Sequence, residues 1–284
     1  MAKFFPHRSS LFSHSKDAMS LPHTPTLAVT CSARADEALR QQARAIAEEM
    51  SCPYWPRPDG RLEDAAQAQH VDALIVVGRQ RLFVHVGQTR LVHHPNAAVL
   101  RVVNLLRGRR DTLVDLAGLA PGDRLLDCTC GLGSDAIAAA HAVGPEGEVH
   151  ALEASPLLAL LARHGMQTYT HPVHPAVTNA MRRVRIVSAR YQEVLPTCTD
   201  ASFDVVYFDP MFCQTVAASN GLDLVRTFAK AGVPQQSDVD QAVRVARRAV
   251  LMKDAMPGRA LETLGFAIVK KTRRFCFGRI DCAP

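Results

Sequence analysis

This chain of 284 residues has no apolar run approaching the roughly 20 residues that a membrane-spanning helix needs. Its first residues include Lys3, His7, Arg8 and Lys16 but no uninterrupted apolar segment and no small-residue cleavage site, which argues against a secretory signal. Residues 1–25 mix Ser, His, Pro and Lys without periodicity and read as a flexible leader, with Met19 as an alternative start of translation. The eight cysteines contain no CxxC pair, so zinc ligation in paired spacing is not indicated and no metal is expected. Lacking an export signal and a membrane span, the chain is expected to be cytoplasmic with reduced thiols. Apolar residues make up 48% and charged residues 21%, a globular balance, and the length allows one large domain or one large and one small. The net charge of +6 permits an acidic partner without requiring one.

What is present is a regular alternation of strand and helix signals. Leu27–Thr30 reads as a strand, and Leu39, Ala43, Ile46 and Met50 recur at helical spacing, predicting a helix from about Asp36 to Met50. Pro53, Pro56, Pro58 and Gly60 break the chain. A short helix over 62–68, a buried strand over 73–77 and a hairpin of 82–86 with 89–92 complete a small α/β unit over 26–95. Val99, Val102, Val103 and Leu106 mark the first helix of a larger unit over 96–284, and 113–119 is a second, short one. From Arg124, strands over 125–127, 149–153, 184–187 and 203–208 alternate with helices over 134–142 and 156–168. A helix over 239–249 leading into a strand to Met252, then an antiparallel pair over 266–270 and 275–280, are expected to close the sheet. This pattern predicts a Rossmann-like α/β fold, a mostly parallel sheet with helices on both faces and ligands beyond the strand carboxyl ends.

Two of those strand ends carry chemistry. Leu125-Leu-Asp-Cys-Thr-Cys-Gly-Leu-Gly-Ser-Asp135 reads as a strand, a glycine turn and the first turn of a helix. Gly131 and Gly133 let backbone approach a ligand, and the N–H groups of the helix start face it. Glu153 ends the next strand, about twenty residues on, where a carboxylate accepts ribose hydroxyls. Asp127 is placed to face an amino group, and Asp135 either caps the helix or meets the ligand. Ala136 stands where the dinucleotide pattern has its third glycine, which makes NAD a poorer fit. The other strand end is Asp209-Pro-Met-Phe212. An exocyclic amine conjugated to a ring is a weak nucleophile. Hydrogen bonds from its N–H to Asp209 and to the Pro210 carbonyl would turn its lone pair toward an electrophile, while Phe212 stacks on the ring. Singly, Asp209 reads equally as a loop cap and Phe212 as a core aromatic. Side by side with the glycine turn, they indicate methyl transfer from S-adenosylmethionine (SAM) to a nitrogen of a planar substrate.

The remaining polar clusters are less specific. His164, His171 and His174 lack a thiol or carboxylate at matching spacing, and Pro172 and Pro175 mark a loop over the cofactor. Arg107, Arg109 and Arg110 suit a helix C-terminus as well as they suit RNA. Arg182, Arg183 and Arg185, then Arg244, Arg247 and Arg248 at helical spacing, then Lys270, Lys271, Arg273 and Arg274 form further groups. If they share one cleft they make a phosphate track; otherwise they are solvated surface. Lys253 either approaches the substrate or is exposed.

Three segments together carry a resemblance: Leu126-Asp-Cys-Thr-Cys-Gly-Leu-Gly-Ser-Asp-Ala136, Ala151-Leu-Glu-Ala-Ser-Pro156 and Asp204-Val-Val-Tyr-Phe-Asp-Pro-Met-Phe212. The chain resembles class I SAM-dependent methyltransferases of the small-subunit ribosomal RNA guanine-N2 methyltransferase J type and their bacterial relatives, over most of 26–280. The resemblance implies cofactor contacts at Ser134, Asp135, Glu153, Ala154, Ala189, Arg190 and Asp209, and ribosomal RNA or the small subunit as partner. The chain departs from the ribosomal enzymes at Ser134, where they usually carry Arg, at Cys213, where they often place Pro, and in the His- and Pro-rich segment 167–178. Those departures bear on the target more than on the cofactor. Two other readings stay open: a SAM enzyme for a small molecule or protein, which a narrow acidic or apolar cleft would favour, and a non-catalytic RNA-binding or assembly factor that keeps only the fold.

Overall fold

The computed structural model describes residues 26–57, 59–95, 97–210 and 232–282, and the leader reading and Phe212 lie outside them. Two separate sheets are built from the chain. The first has the order β1-β2-β3-β4, with β1 (Leu27–Cys31) parallel to β2 (Ala73–Val77) and β3 (Leu82–Val86) and β4 (Thr89–Val92) following as an antiparallel hairpin. Helix α1 (Glu37–Glu49) starts at Asp36, whose carboxylate accepts the Leu39 N–H at 2.9 Å, and buries Leu39, Ala43 and Ile46 against this sheet. The short α2 (Leu62–Ala68) covers the other face through Leu62.

The second sheet has seven strands. They are β5 (Arg124–Asp127), β6 (Glu148–Glu153), β7 (Val184–Ser188), β8 (Phe203–Phe208), β9 (Ala246–Ala255), β10 (Ala267–Lys271) and β11 (Phe275–Asp281), in the order β10-β11-β9-β8-β5-β6-β7. β5 to β9 are parallel, and β11 runs antiparallel between β9 and β10. Every residue of β8 is buried, because helices cover both faces. Alternate residues serve opposite layers. Leu125, Val205 and Tyr207 pack with α3 (Ala97–Leu106), α4 (Thr112–Ala117), α5 (Ser134–Val143) and α7 (Pro175–Arg183). Leu126, Val206 and Phe208 pack with α8 (Tyr191–Val194), α9 (Gln236–Val245) and α10 (Arg259–Thr263). This is the expected Rossmann-like arrangement.

Helix α6 (Pro156–Thr168) joins the two sheets. It is buried nearly all round: Leu157, Leu158, Leu160 and Leu161 enter the core of the first sheet, and Met166 enters that of the second. At its far end Gly165 lies against His93, which follows β4. A Cβ at Gly165 would stand 2.1 Å from the His93 ring. The absent side chain is what lets the imidazole seat.

Two local expectations differ from the fold. The segment 167–178 is not all loop, since Pro175 opens α7 at a first-turn position where its missing N–H has no partner to lose, and Val177, Ala180 and Met181 form the buried face. The helix expected over 239–249 ends at Val245, and the strand begins at Ala246. Ala-Arg-Arg-Ala-Val satisfies either period, and burial on both faces of the central sheet decides for the strand. Arg247 and Arg248 are therefore strand residues on opposite faces, paired with Asp204 at 3.1 Å and Asp123 at 2.6 Å.

Substituting Gly165→Ala sets a helix-propensity gain of up to about 1 kcal/mol against an overpacking cost of about 1–3 kcal/mol. The expected result is a lowered Tm by scanning calorimetry; an unchanged or raised Tm would show that His93 yields freely.

Candidate active site

The sheet order reverses between β5 and β8, and the crevice outside their carboxyl ends is where a parallel sheet receives a ligand. β5 delivers Asp127 there, β6 delivers Glu153 and β8 delivers Asp209. The turn between β5 and α5 fills the space among them. Gly131 and Gly133 adopt φ of 56° and 84°, the left-handed region that glycine enters without strain. Nothing lies within 4 Å of where a Gly131 Cβ would be, so the backbone there is open to a ligand.

Each acid is tied down differently. Glu153 accepts the Gly131 N–H and the Ser155 N–H, both at 2.8 Å, one on each oxygen. Burial pushes its pKa up, and those two N–H groups oppose the shift. Asp127 is buried and accepts the Thr129 N–H at 3.0 Å. Burial, reinforced by the neighbouring charges of Asp135, Asp209 and Glu153, pushes its pKa well up. Thr129 in turn accepts the Asp209 N–H at 2.6 Å, locking the end of β8 to the turn. Asp209 pairs with Lys253 of β9 at 2.7 Å, and the ammonium sits 4.9 Å from the centre of the Phe275 ring. Burial raises the Asp209 pKa to about 6, with Lys253 pulling against it.

Asp135 is anchored by a polar network. Arg101 of α3 bridges it to Asp111, which it meets at 2.7 and 2.8 Å, and the Tyr207 hydroxyl donates to its other oxygen at 3.2 Å. Burial works against the Arg101 cation, but Asp111 and Asp135 together raise its pKa. The network fixes the start of α5, where Ser134 is the first residue, Gly133 precedes it and the Ser134 carbonyl accepts from Arg101 at 3.4 Å.

The structure thus brings Asp127, Gly131, Gly133, Ser134, Asp135, Glu153 and Asp209 to one crevice. Ala154 adjoins Glu153, and the Ala189 N–H donates to the Glu153 carbonyl at 3.1 Å. Arg190 precedes α8 with an exposed side chain, and Pro210 is buried beside Asp209. Arg101, Asp111, Thr129 and His93 were not singled out by the sequence. His93 Nε2 lies 3.0 Å from the carbonyl of Leu132, the residue between the two turn glycines. The first sheet therefore supports the turn from behind.

The basic groups separate by position. Arg182, Arg183 and Arg185 precede or open β7, and Arg247 and Arg248 open β9, all at the amino end of the parallel strands. They are spent on structure: Arg183 donates to the Ala140 carbonyl at 2.8 Å, and Arg244 to the Cys198 and Leu195 carbonyls at 2.8 and 2.9 Å. Lys270, Lys271, Arg273 and Arg274 lie at the opposite end, because Lys270 is level with Phe277, which is level with Lys253. Lys270 donates to Thr112 at 2.8 Å, bringing Arg107, Arg109 and Arg110 to the same rim. All seven of these cations are exposed. Among the described residues no group of three or more His, Cys, Asp or Glu is placed to hold a metal, and no helix is long and apolar enough to cross a membrane.

A family model described as "Putative SAM-dependent methyltransferase" matches residues 70–277. The chain belongs to this methyltransferase family. Uncharacterized protein YpiP of Bacillus subtilis strain 168 is 36% identical over 258 residues, 90% of this chain and 100% of YpiP. The crystal structure of the SAM-dependent methyltransferase NGO1261 from Neisseria gonorrhoeae aligns with a TM-score of 0.59 at 16% identity, covering 89% of this chain and 95% of that one, which shows a shared fold. The protein is a SAM-dependent methyltransferase, and its crevice suits that cofactor: an open glycine backbone, and buried acids with acceptor capacity left over.

The His93 contact has a pH signature. Burial lowers its pKa from 6.5 to about 4, so between those values the unfolded methyltransferase binds a proton that the folded one refuses. That contribution is complete above about pH 6.5 and is lost as pH falls toward 4, at up to about 1.4 kcal/mol per pH unit. In His93→Gln, which keeps an N–H donor, denaturant-derived stability should vary less steeply with pH over that window; an identical slope would remove His93 as its source.

Proposed function

We propose that this methyltransferase modifies an exocyclic amine of a base in RNA, with guanine N2 of ribosomal RNA as the target and the small subunit or its RNA as the cytoplasmic partner. The observation that carries the reading is the Asp209-Pro210 pair at the end of β8, held beside the glycine turn by Thr129 and Lys253. Residues 96–284 would act as the methyltransferase domain, and 26–95 as a smaller domain.

When bound, SAM supplies a methyl group on a sulfonium. Glu153 would hold its ribose, Asp127 its amino group, and the backbone of Gly131, Gly133, Ser134 and Ala154 would line its path, with Ala189 and Arg190 beyond. Asp209 and the Pro210 carbonyl would accept the two N–H bonds of the base amine, which fixes the amine plane and aims its lone pair. A carboxylate of pKa about 6 is mostly ionised at neutral pH, so it accepts those bonds, and it is basic enough to take the proton that the methylated nitrogen sheds. Phe212 would stack on the base. RNA is favoured over a small molecule because seven exposed cations rim this end of the sheet, a surface suited to phosphates.

Labelled SAM with ribosomal RNA and small subunits from a strain lacking the protein should give nuclease-sensitive, protease-resistant label that wild-type RNA does not accept. No label despite measured SAM binding would sink the RNA reading. Asp209→Asn should lower kcat by about 10²–10⁴-fold, the usual range for losing a positioned base, while SAM affinity by calorimetry changes little; full turnover would exclude Asp209.

Lys253→Met removes the cation that holds the Asp209 pKa down, so the acid limb of the kcat–pH profile should move to higher pH. A limb that stays in place would show that Lys253 does not face Asp209 during turnover.

A further inference from the structure

A second concave site lies on the first sheet. The chain leaves β1 through Ser32-Ala-Arg34 and leaves β2 through Gly78-Arg-Gln-Arg81, and because β1 and β2 are parallel the two loops emerge side by side. Between them is an open surface cleft of about 480 Å³ lined by these loops and Phe83. The 78–81 turn is tight at Gly78, where a Cβ would stand 2.9 Å from the Arg81 carbonyl oxygen. Arg34 is held at φ 61°, a left-handed conformation that a side-chain-bearing residue rarely adopts. Arg90 reaches over the Phe83 ring, 5.0 Å from its centre.

Charge in this cleft is one-sided. Arg34, Arg79 and Arg81 are all exposed, and among the described residues the one carboxylate they meet is Asp36, 3.1 Å from Arg79. Gathering guanidinium groups around a hollow is electrostatically unfavourable unless an anion shares it. Planar five-donor groups beside an aromatic face are what a single-stranded nucleic acid meets in its binding grooves, phosphates on the cations and a base on the ring.

The cleft also lies at the strand end from which the chain runs to the glycine turn. β3 begins at the cleft, and β4 returns to it, since Phe83 is level with Val92. The next residue, His93, meets the glycine turn at Leu132. The cleft and the turn are thus at one edge of the molecule, with β2 and β4 two strand spacings, ~10 Å, apart. We propose that this arginine cleft binds the phosphodiester backbone of the RNA substrate, as an anchor separate from the methyl-transfer crevice. The proposal rests on the RNA reading above.

The probe is a fluorescein-labelled 12-nucleotide single-stranded RNA, with affinity read by anisotropy from about 50 to 200 mM salt. The double variant Arg34→Gln/Arg81→Gln should bind several-fold more weakly, with a salt slope shallower by about 1.4, the value for two lost phosphate contacts on a single strand. Arg34→Lys/Arg81→Lys should recover most of the slope, and Tm and SAM affinity should match wild type in both. If wild type binds the RNA and the glutamine variant matches its affinity and slope, the cleft is not an anchor and the RNA reading survives. If wild type fails to bind the RNA, both readings fall together.

Discussion

Three carboxylates at the ends of adjacent parallel strands set the terms for the rest of this protein. Asp127, Glu153 and Asp209 repel one another in a place that water only partly reaches, and burial lifts the pKa of each. The fold meets that cost with fixed donors: backbone N–H groups for Glu153 and Asp127, and one lysine for Asp209. Acidity concentrated so, and only partly neutralised, suits a cofactor that brings its own positive charges as an ammonium and a sulfonium. The same crowding explains why Asp135, the fourth acid nearby, is enclosed by Arg101 and Tyr207.

The sheet is polarised from end to end. At the amino ends of the parallel strands, arginines are committed to carbonyls and carboxylates and act as fasteners for loops and strand starts. At the carboxyl ends Arg101 is likewise committed, to Asp111 and Asp135, and Arg110 pairs with Asp115, while Arg107, Lys271, Arg273 and Arg274 stand exposed on a hairpin and a loop. Net charge alone says nothing of this division. A basic protein whose arginines were all fasteners would leave few cations free, and here the less committed ones gather at the carboxyl ends.

Much of this was legible in the sequence because the informative residues are contiguous. The strand, turn and helix of Leu125–Asp135 follow from an apolar run, two glycines and a polar helix start, and the placement of Glu153 and Asp209 follows from where apolar runs stop. What escaped reading depends on pairing between distant segments. Lys253 meets Asp209 only because β8 and β9 run parallel in one register. The arginines of the first sheet converge only because β1 and β2 are parallel neighbours. Helix α7 is hidden for another reason: a proline is a breaker inside a helix and a starter at its first turn, and the sequence around Pro175 does not say which. The end of α9 is hidden because burial on two faces erases the alternation that marks a strand.

The shared helix α6 has a consequence for the order in which the protein is made. Synthesis runs from the first sheet to the second, yet the apolar face around Ile75, Val84 and Leu91 is completed by leucines of α6, roughly seventy residues after β4. At about 5–20 residues per second that face waits several seconds on the ribosome before its cover is made. The first sheet is therefore not a unit that can close its own core: its last wall is supplied by the part of the chain that also carries the glycine turn.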